Sequence, residues 1–402
     1  MIAIDTYALG ALRPARVVEP ADAQEVAAAL RAAADAGEAI VVHGGGTLQR
    51  AANAPARYDV ALDVRRLDAV HAYDPHDLTL GAGAGMTVAA LDDVLARNRQ
   101  FVPLDAPRAA RATVGGTLAA GWAGPRRAAY GRPRDLLIGA TVALADGSLA
   151  SSGGMVVKNV TGYDMGKLYV GSHGTLGALV RANFKVLPAP PARRLAVAPF
   201  DDDLRERTVA HASGLALEPV ALLALDGFRE APGGERPRLV ALLEGSDALV
   251  ERATRELRSA LGAAGVAETW LLDGDDATRA FQDLLDAYVA LDGERSLTFI
   301  ARGRPADAAS RTQRVRGAVR GAETIADLRT GDVVVRVRAR DEAPVELAVR
   351  DVLGHATLLA AGTAVQADAW GEPPATLATM RALKAAFDPH GTLAPGRFVG
   401  GI

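Results

Sequence analysis

The stretch VVHGGGT, Val41 to Thr47, runs a short apolar strand straight into three consecutive glycines. Backbone of this kind can turn several N–H groups toward one anion, so the run suits a phosphate cradle. It suits an ordinary glycine-rich turn equally, and alone it does not choose. Upstream, Pro20 to Ala36 reads as an alanine-rich helix closed by Gly37, and Ala39 to His43 as the strand that enters the glycines. Downstream, Asp59 to Val64 reads as another short strand. Ala69 to Tyr73 and Leu78 to Ala82 form a predicted hairpin across Asp74-Pro75, followed by a helix over Thr87 to Arg99. Leu136 to Ala145 and Leu149 to Ser152 flank Asp146-Gly147, a second hairpin signal. Strands and helices therefore alternate, and the class is α with β.

Three further segments are rich in glycine or interrupted by polar residues. In LTLGAGAGMTVAALDDVL, Leu78 to Leu95, a strand, a glycine turn and a helix follow in Rossmann order, with Asp105 downstream as a ribose carboxylate. Against a nucleotide-binding Rossmann protein, Met86 occupies the third glycine position and the strand already reads as half of a hairpin. The segment Ala112 to Gly147 pairs Gly115-Gly116 with an arginine cluster at Arg126, Arg127, Arg132 and Arg134. Its small residues would let a large flat ligand lie close to backbone, or would pack a tight helix under a solvated arginine face. From Gly153 to Pro190, polar residues around Lys158, Asn159, Tyr163 and Asp164 interrupt a strand-like pattern, as site or scaffold loops do.

The run VLPAPPARR, Val186 to Arg194, carries prolines at 188, 190 and 191 that break helix and central strand alike, which marks a domain boundary. Beyond it, strands at Leu195 to Pro199, Val220 to Leu225 and Leu239 to Glu244 alternate with helices at Leu204 to Ser213 and Asp247 to Ala264. Strand Leu297 to Ala301, helix Ala306 to Val319 and strands near Glu323 and Val333 continue the pattern, a split βαβ layer with helices on one face. A helix from Pro374 through Phe387 leads into a turn-rich tail that carries Arg397. The expected organisation is 1–188, 189–373 and 374–402.

Composition narrows the function classes. The 402 residues include 45 Lys+Arg against 48 Asp+Glu and 49% hydrophobic residues, which describes a globular chain with a sizeable core. A net charge of -3 with both signs interspersed leaves no broad footprint for nucleic acid or an anionic membrane. The absence of cysteine removes disulfides, thiolate chemistry and iron–sulfur ligation from this chain. No signal peptide and no membrane-spanning stretch are expected. The seven histidines, at 43, 71, 76, 173, 211, 355 and 390, form no metal-ligand spacing, so no metal site is expected.

Taken in order, these glycine and polar segments resemble the FAD-binding domain of flavoproteins of the vanillyl-alcohol-oxidase or para-cresol-methylhydroxylase (PCMH) type. AGPRRAAYGRPRDLLIGATV from Ala123, GGMVVKNVTGYDMGKL from Gly153 and the tail FDPHGTLAPGR from Phe387 resemble more narrowly the FAD-binding E subunits of bacterial glycolate oxidases. The resemblance covers about residues 15 to 190 and the last 25; the middle matches only in length and layer type. It implies an α+β fold, a two-part PCMH-type FAD-binding domain followed by a cap domain with an antiparallel sheet.

The resemblance further implies FAD held without a covalent bond. Its diphosphate would lie on the loop at Gly44, Gly45, Gly46 and Thr47, with His43 and Leu48 beside it among the cofactor-binding residues and Thr47 standing where covalently flavinylated relatives carry histidine. Ala112, Thr113, Gly115 and Gly116 match the family's second FAD segment; Gly174, Leu176, Gly177 and Val180 match the third, with His173 in place of a frequent glutamate. Ala394 replaces the usual asparagine before Pro395-Gly396-Arg397.

The implied activity is oxidation of glycolate, a 2-hydroxy acid, to glyoxylate within a multi-subunit complex. Its other members would be a sister FAD-binding catalytic subunit and an iron–sulfur subunit. The implied location is cytoplasmic, or peripheral to a membrane through that complex. Catalytic residues are not assigned. Lys158 and the arginine cluster are the candidates for charge near the flavin or an anionic substrate. A stand-alone dehydrogenase of another 2-hydroxy acid and a flavin-holding structural subunit are the alternatives.

Overall fold

The computed structural model describes residues 4–157, 162–338, 345–365 and 367–402, so Lys158 and Asn159 lie outside the described residues. The chain divides into two compact units. The first comprises 1–123, 131–189 and 368–402; the second comprises 124–130 and 190–367.

Among the described residues the first unit holds two larger sheets and the short antiparallel pair of Gln100–Phe101 with Leu187–Pro188. Strand β1 (Arg16–Val18), helix α1 (Ala23–Ala36), β2 (Ile40–His43) and β3 (Val60–Asp63) form a parallel layer in the order β1-β3-β2. Asp22 caps α1 by accepting the Glu25 N–H at 2.8 Å, and Gly37 ends it at φ 65 while donating to the carbonyls of Ala33 and Ala34. Val26, Leu30 and Ala33 recur on one helical face and bury against Ile40, Val60 and Leu62. Each such leucine, buried completely, contributes roughly 1.5–3 kcal/mol, so this layer fixes the direction in which β2 delivers the glycine loop.

The second sheet is antiparallel throughout: β4 (Val70–Asp74), β5 (Thr79–Gly83), then Ala178–Lys185, Leu137–Ala143 and Leu149–Gly153. Asp74 starts the β4–β5 turn by accepting the N–H groups of His76 and Asp77. Strand β5 is antiparallel to both of its neighbours, which removes the Rossmann alternative. The glycines of that motif serve close packing instead: a Cβ at Gly83 would lie 2.1 Å from the Leu67 carbonyl oxygen, and one at Gly85 2.1 Å from that of Val64. Asp105 is buried, with its carbonyl accepting the Trp122 indole N–H at 2.6 Å. Helices α2 (Val88–Ala96) and α3 (Val114–Ala119), capped by Thr87 and Thr113, pack in the same core as β5.

The second unit is an eight-stranded antiparallel sheet in the order Trp270–Asp273, Ala192–Pro199, Arg238–Gly245, Ala221–Asp226, Glu323–Asp327, Val333–Arg338, Ser296–Ala301, Thr357–Ala361. It is built from two successive βαββαβ halves, 192–273 and 296–361, each ordered 4-1-3-2 and joined through their second strands. The two halves lie about a hundred residues apart, beyond the spacing of short-repeat proteins. Helix Asp247–Ala264 covers the face of Arg194, Ala196 and Ala198, where Arg194 donates to Thr254. Arg193 faces the other way and donates to Thr278 of helix Gly274–Ala287, so that helix and the 124–130 excursion take the opposite face.

A groove built from the glycine loop, helix α3 and the tail

Strand β2 ends at His43, and the chain turns through Gly44 to Gln49 along one wall of an open groove. Thr113, Gly115 and Gly116 at the start of α3 form the second wall, with Ala119 and Ala120 one turn on. Gly174, Gly177 and the start of strand Ala178–Lys185 form the third, and Arg397 reaches in from the tail.

Close approach explains the small residues. A Cβ at Gly44 would lie 2.2 Å from the Thr113 hydroxyl, one at Gly45 1.7 Å from the Arg111 carbonyl oxygen, and one at Gly177 2.5 Å from a Val142 methyl. Gly46 differs. Nothing lies within 4 Å of its Cβ position, but its φ of +71 requires glycine for backbone reasons. The N–H groups of Gly44 through Leu48 have no acceptor among the described residues, although the strand behind them is fully paired. A row of backbone donors left over beside glycines fits an anionic diphosphate, so the residues present suit the group that the sequence implies.

A chain of hydrogen bonds fixes this loop from behind. Gln49 Nε2 donates to the Val42 carbonyl at 3.2 Å and lies 3.1 Å from His43 Nδ1, while Tyr58 Oη donates to the Tyr7 carbonyl at 3.0 Å and lies 2.6 Å from His43 Nε2. With the tyrosine proton committed to Tyr7, the consistent arrangement is a neutral His43 that donates from Nε2 and accepts at Nδ1. Burial, and then the Arg397 charge, push His43 down to about 4, in keeping with that neutral form. Tyr7 in turn donates to Asp63 at 2.6 Å; its own burial and the Asp63 hydrogen bond raise it to about 12.

His173 stands at φ 52 with its N–H on the Ala119 carbonyl, and its ring packs 5.1 Å from Trp370 and 5.9 Å from Phe398. Burial, then Arg397, lower it to about 3, so it too is neutral. Trp370 donates its indole N–H to the Arg397 carbonyl at 3.1 Å, which ties this aromatic cluster to the tail.

Of the residues expected at the cofactor, Gly44, Gly45, Gly46, Thr47, Leu48, Thr113, Gly115, Gly116, Gly174 and Gly177 line this one groove. His43, Ala112, Leu176 and Val180 do not; their side chains are buried in the adjoining cores. Gln49, Ala119, Ala120 and Arg397 line it and were not singled out as cofactor residues from the sequence. Two of the arginines expected near flavin or substrate are committed elsewhere. Arg126 pairs with Glu244 at 3.4 Å and Arg127 with Asp332 at 2.7 Å, both within the second unit. Arg132 and Arg134 are exposed. Among the described residues no group of three or more His, Asp or Glu could hold a metal ion, and no helix is long and apolar enough to cross a membrane.

Comparison with known proteins agrees with this geometry. Residues 14–153 match the family model of the FAD binding domain, and residues 370–398 that of the C-terminal domain of FAD linked oxidases. Glycolate oxidase subunit GlcE of Escherichia coli is 40% identical over 132 residues, which span 33% of this chain and 38% of that subunit. Glycolate oxidase subunit GlcD of Bacillus subtilis is 26% identical over 96% of this chain and 88% of its own length. A D-lactate dehydrogenase of Archaeoglobus fulgidus is 32% identical over 46% of this chain and 41% of that enzyme. Among solved structures, alkyldihydroxyacetonephosphate synthase superposes over 94% of this chain and 75% of its own with a TM-score of 0.66 at 16% identity, a likeness of fold. The glycine loop and the α3 wall of the groove fall within the first matched segment and Arg397 within the second, so the chain joins an FAD-binding domain to the C-terminal segment of FAD-linked oxidases, in a mixed α/β fold that resembles the PCMH type.

Proposed function

We propose that this chain is the FAD-binding subunit of a complex that oxidises glycolate or a closely related 2-hydroxy acid, with the FAD held non-covalently along the groove of the first unit. The observation that carries the reading is the 40% identity to the GlcE subunit, together with a groove whose free amides match a diphosphate. When bound, FAD would supply the acceptor for the hydride, which carries the electron pair released when a CH–OH group is oxidised. The chain's own part is to hold and orient that cofactor. The loop amides of Gly44 to Leu48 bind the diphosphate, and the Gln49–His43–Tyr58 chain keeps the loop in register. Thr47 carries no imidazole able to attack the flavin methyl, so the cofactor is extractable. The catalytic base and the site for the substrate carboxylate belong to the sister subunit, and an iron–sulfur subunit carries the electrons onward.

The test is the visible spectrum of the purified chain before and after anaerobic glycolate. The subunit reading expects flavin that is released on denaturation and stays oxidised until the partner subunits are added. Bleaching of the isolated chain by glycolate would overturn it.

A second reading, a stand-alone 2-hydroxy-acid dehydrogenase, is favoured by the match to GlcD over nearly the whole chain. It expects bleaching of the isolated chain by at least one of glycolate, D-lactate and D-2-hydroxyglutarate.

A further inference from the structure

Arg397 is 2% exposed, yet no carboxylate lies within 4.0 Å of it among the described residues. It donates through Nη1 to the Asn53 carbonyl at 3.1 Å and through Nη2 to the carbonyl and side-chain oxygens of Gln49, both at 2.5 Å. All three acceptors are neutral. A guanidinium carries five N–H groups, so Nε–H and one Nη1–H remain without an acceptor among the described residues.

The molecule contains its own control. Arg238, 0% exposed, places its N–H groups on the carbonyls of Pro232, Gly227, Arg236, Phe228 and Ala231, within reach of the charges of Asp226, Glu323 and Glu230. That buried cation is saturated and balanced by the protein itself. Arg397 is neither, and an unbalanced buried charge costs several kcal/mol. It also stands on the wall of the groove whose loop amides are unused. Two independent sets of unsatisfied donors, one charged, therefore face one space.

The tail holds this cation in place before any ligand arrives. Ile40 N–H donates to the Thr392 carbonyl at 2.7 Å, Ala394 N–H to that of Ile40 at 2.8 Å, and Ala56 N–H to that of Pro395 at 2.6 Å. Gly396 then turns at φ 81, with its Cβ position 2.9 Å from Ala56, and presents Arg397.

We propose that Arg397 is the protein's counter-charge to the diphosphate of FAD, making the C-terminal tail an electrostatic part of the cofactor site as well as its brace. The proposal rests on the reading of the groove as the diphosphate site. A charged hydrogen bond to phosphate in a desolvated site is worth about 1.5–3 kcal/mol, which corresponds to roughly 10- to 150-fold in affinity.

The experiment titrates the apoprotein with FAD and with ADP, which carries the diphosphate without the flavin, and reads dissociation constants by calorimetry. Arg397→Met is expected to weaken both ligands about 30-fold. Arg397→Lys, which keeps the charge and loses the fork, should stay within about fivefold of wild type, and Arg111→Met, an exposed cation beside Gly45, within about threefold. Arg397→Met binding ADP as wild type does, or Arg397→Lys losing as much as Arg397→Met, overturns the counter-charge. Gly116→Val separates this from the groove itself, because Gly116 is exposed and a Cβ there meets only the Thr113 hydroxyl, at 2.9 Å. If folded Gly116→Val loses ADP while Arg397→Met does not, the groove stands and the role of Arg397 falls. If Gly116→Val also binds normally, the groove reading falls. Should Arg397→Met not fold, Arg397→Gln, which retains donors toward Gln49, is read by the same criterion.

Discussion

Glu244 in the second unit and Arg397 in the first are both withdrawn from solvent, and their surroundings differ. Glu244, on strand Arg238–Gly245, accepts from Arg126 at 3.4 Å, Arg193 at 2.7 Å and the Tyr130 hydroxyl at 2.6 Å. Asp332, just before strand Val333–Arg338, pairs with Arg127 and with Arg302, and Arg336 with Glu230 and Glu323. Each of these buried charges finds its opposite within the unit, in part through the 124–130 excursion. Around Arg397 the acceptors are neutral and the nearest loop supplies donors. A region whose electrostatics are complete in itself serves as scaffold; one whose electrostatics are incomplete is shaped for a ligand.

The comparison breaks first at Glu244. Glu244→Ala leaves Arg126 and Arg193 facing a buried vacancy, and should lower stability by about 3–5 kcal/mol, read as the shift of the denaturant midpoint. A shift below about 1 kcal/mol would mean that the cluster is solvated and the contrast false.

Acid should act on the two units with opposite sign. In the apoprotein His43 and His173 lie at about 4 and about 3, below the ordinary 6.5, so they take up protons on unfolding between pH 6.5 and 4. Stability of the first unit therefore falls as pH drops through that window, by roughly 3 kcal/mol for each histidine. Asp327 in the second unit is raised by burial to about 6, so between pH 6 and 3.8 the native state holds the proton and acid favours folding there. Hydrogen exchange at pH 7 and pH 5 checks this: the apoprotein should lose protection around 40–63 before it does so around 323–337.

Smaller effects refine the picture. Gly46→Ala meets no atom but forces φ +71 on a residue with a Cβ, and should cost about 1 kcal/mol of apoprotein stability. Arg302→Ala should change stability by less than about 1 kcal/mol, because Arg302 is half exposed and Arg127 still holds Asp332. A larger loss would show that Arg127 alone cannot balance that carboxylate.

The local grammar of the first unit was readable because it is written in neighbours. Asp22 with Gly37 bounds α1, Asp74-Pro75 and Asp146-Gly147 mark hairpins, and the glycines at 44–46 mark the loop. What escaped reading depends on distance along the chain. Arg397 meets Gln49 across 348 positions, and nothing near either residue announces the other. The order strand, glycines, helix from Leu78 fits a parallel or an antiparallel sheet, and only pairing with Ala178–Lys185 decides it. Arg126 and Arg127 read as ligand charges because their partners, Glu244 and Asp332, lie more than a hundred residues later in the chain. The duplication in the second unit is conserved in topology, which a residue pattern does not carry.

The most direct test of the account is hydrogen exchange of the apoprotein with and without saturating FAD, read at single-amide resolution. The amides of Gly44 to Leu48, which have no acceptor among the described residues, should slow strongly on loading, together with 173–177, while the sheet of the second unit stays unchanged. Protection that appears in the second unit, or leaves the glycine loop exchanging freely, would contradict it.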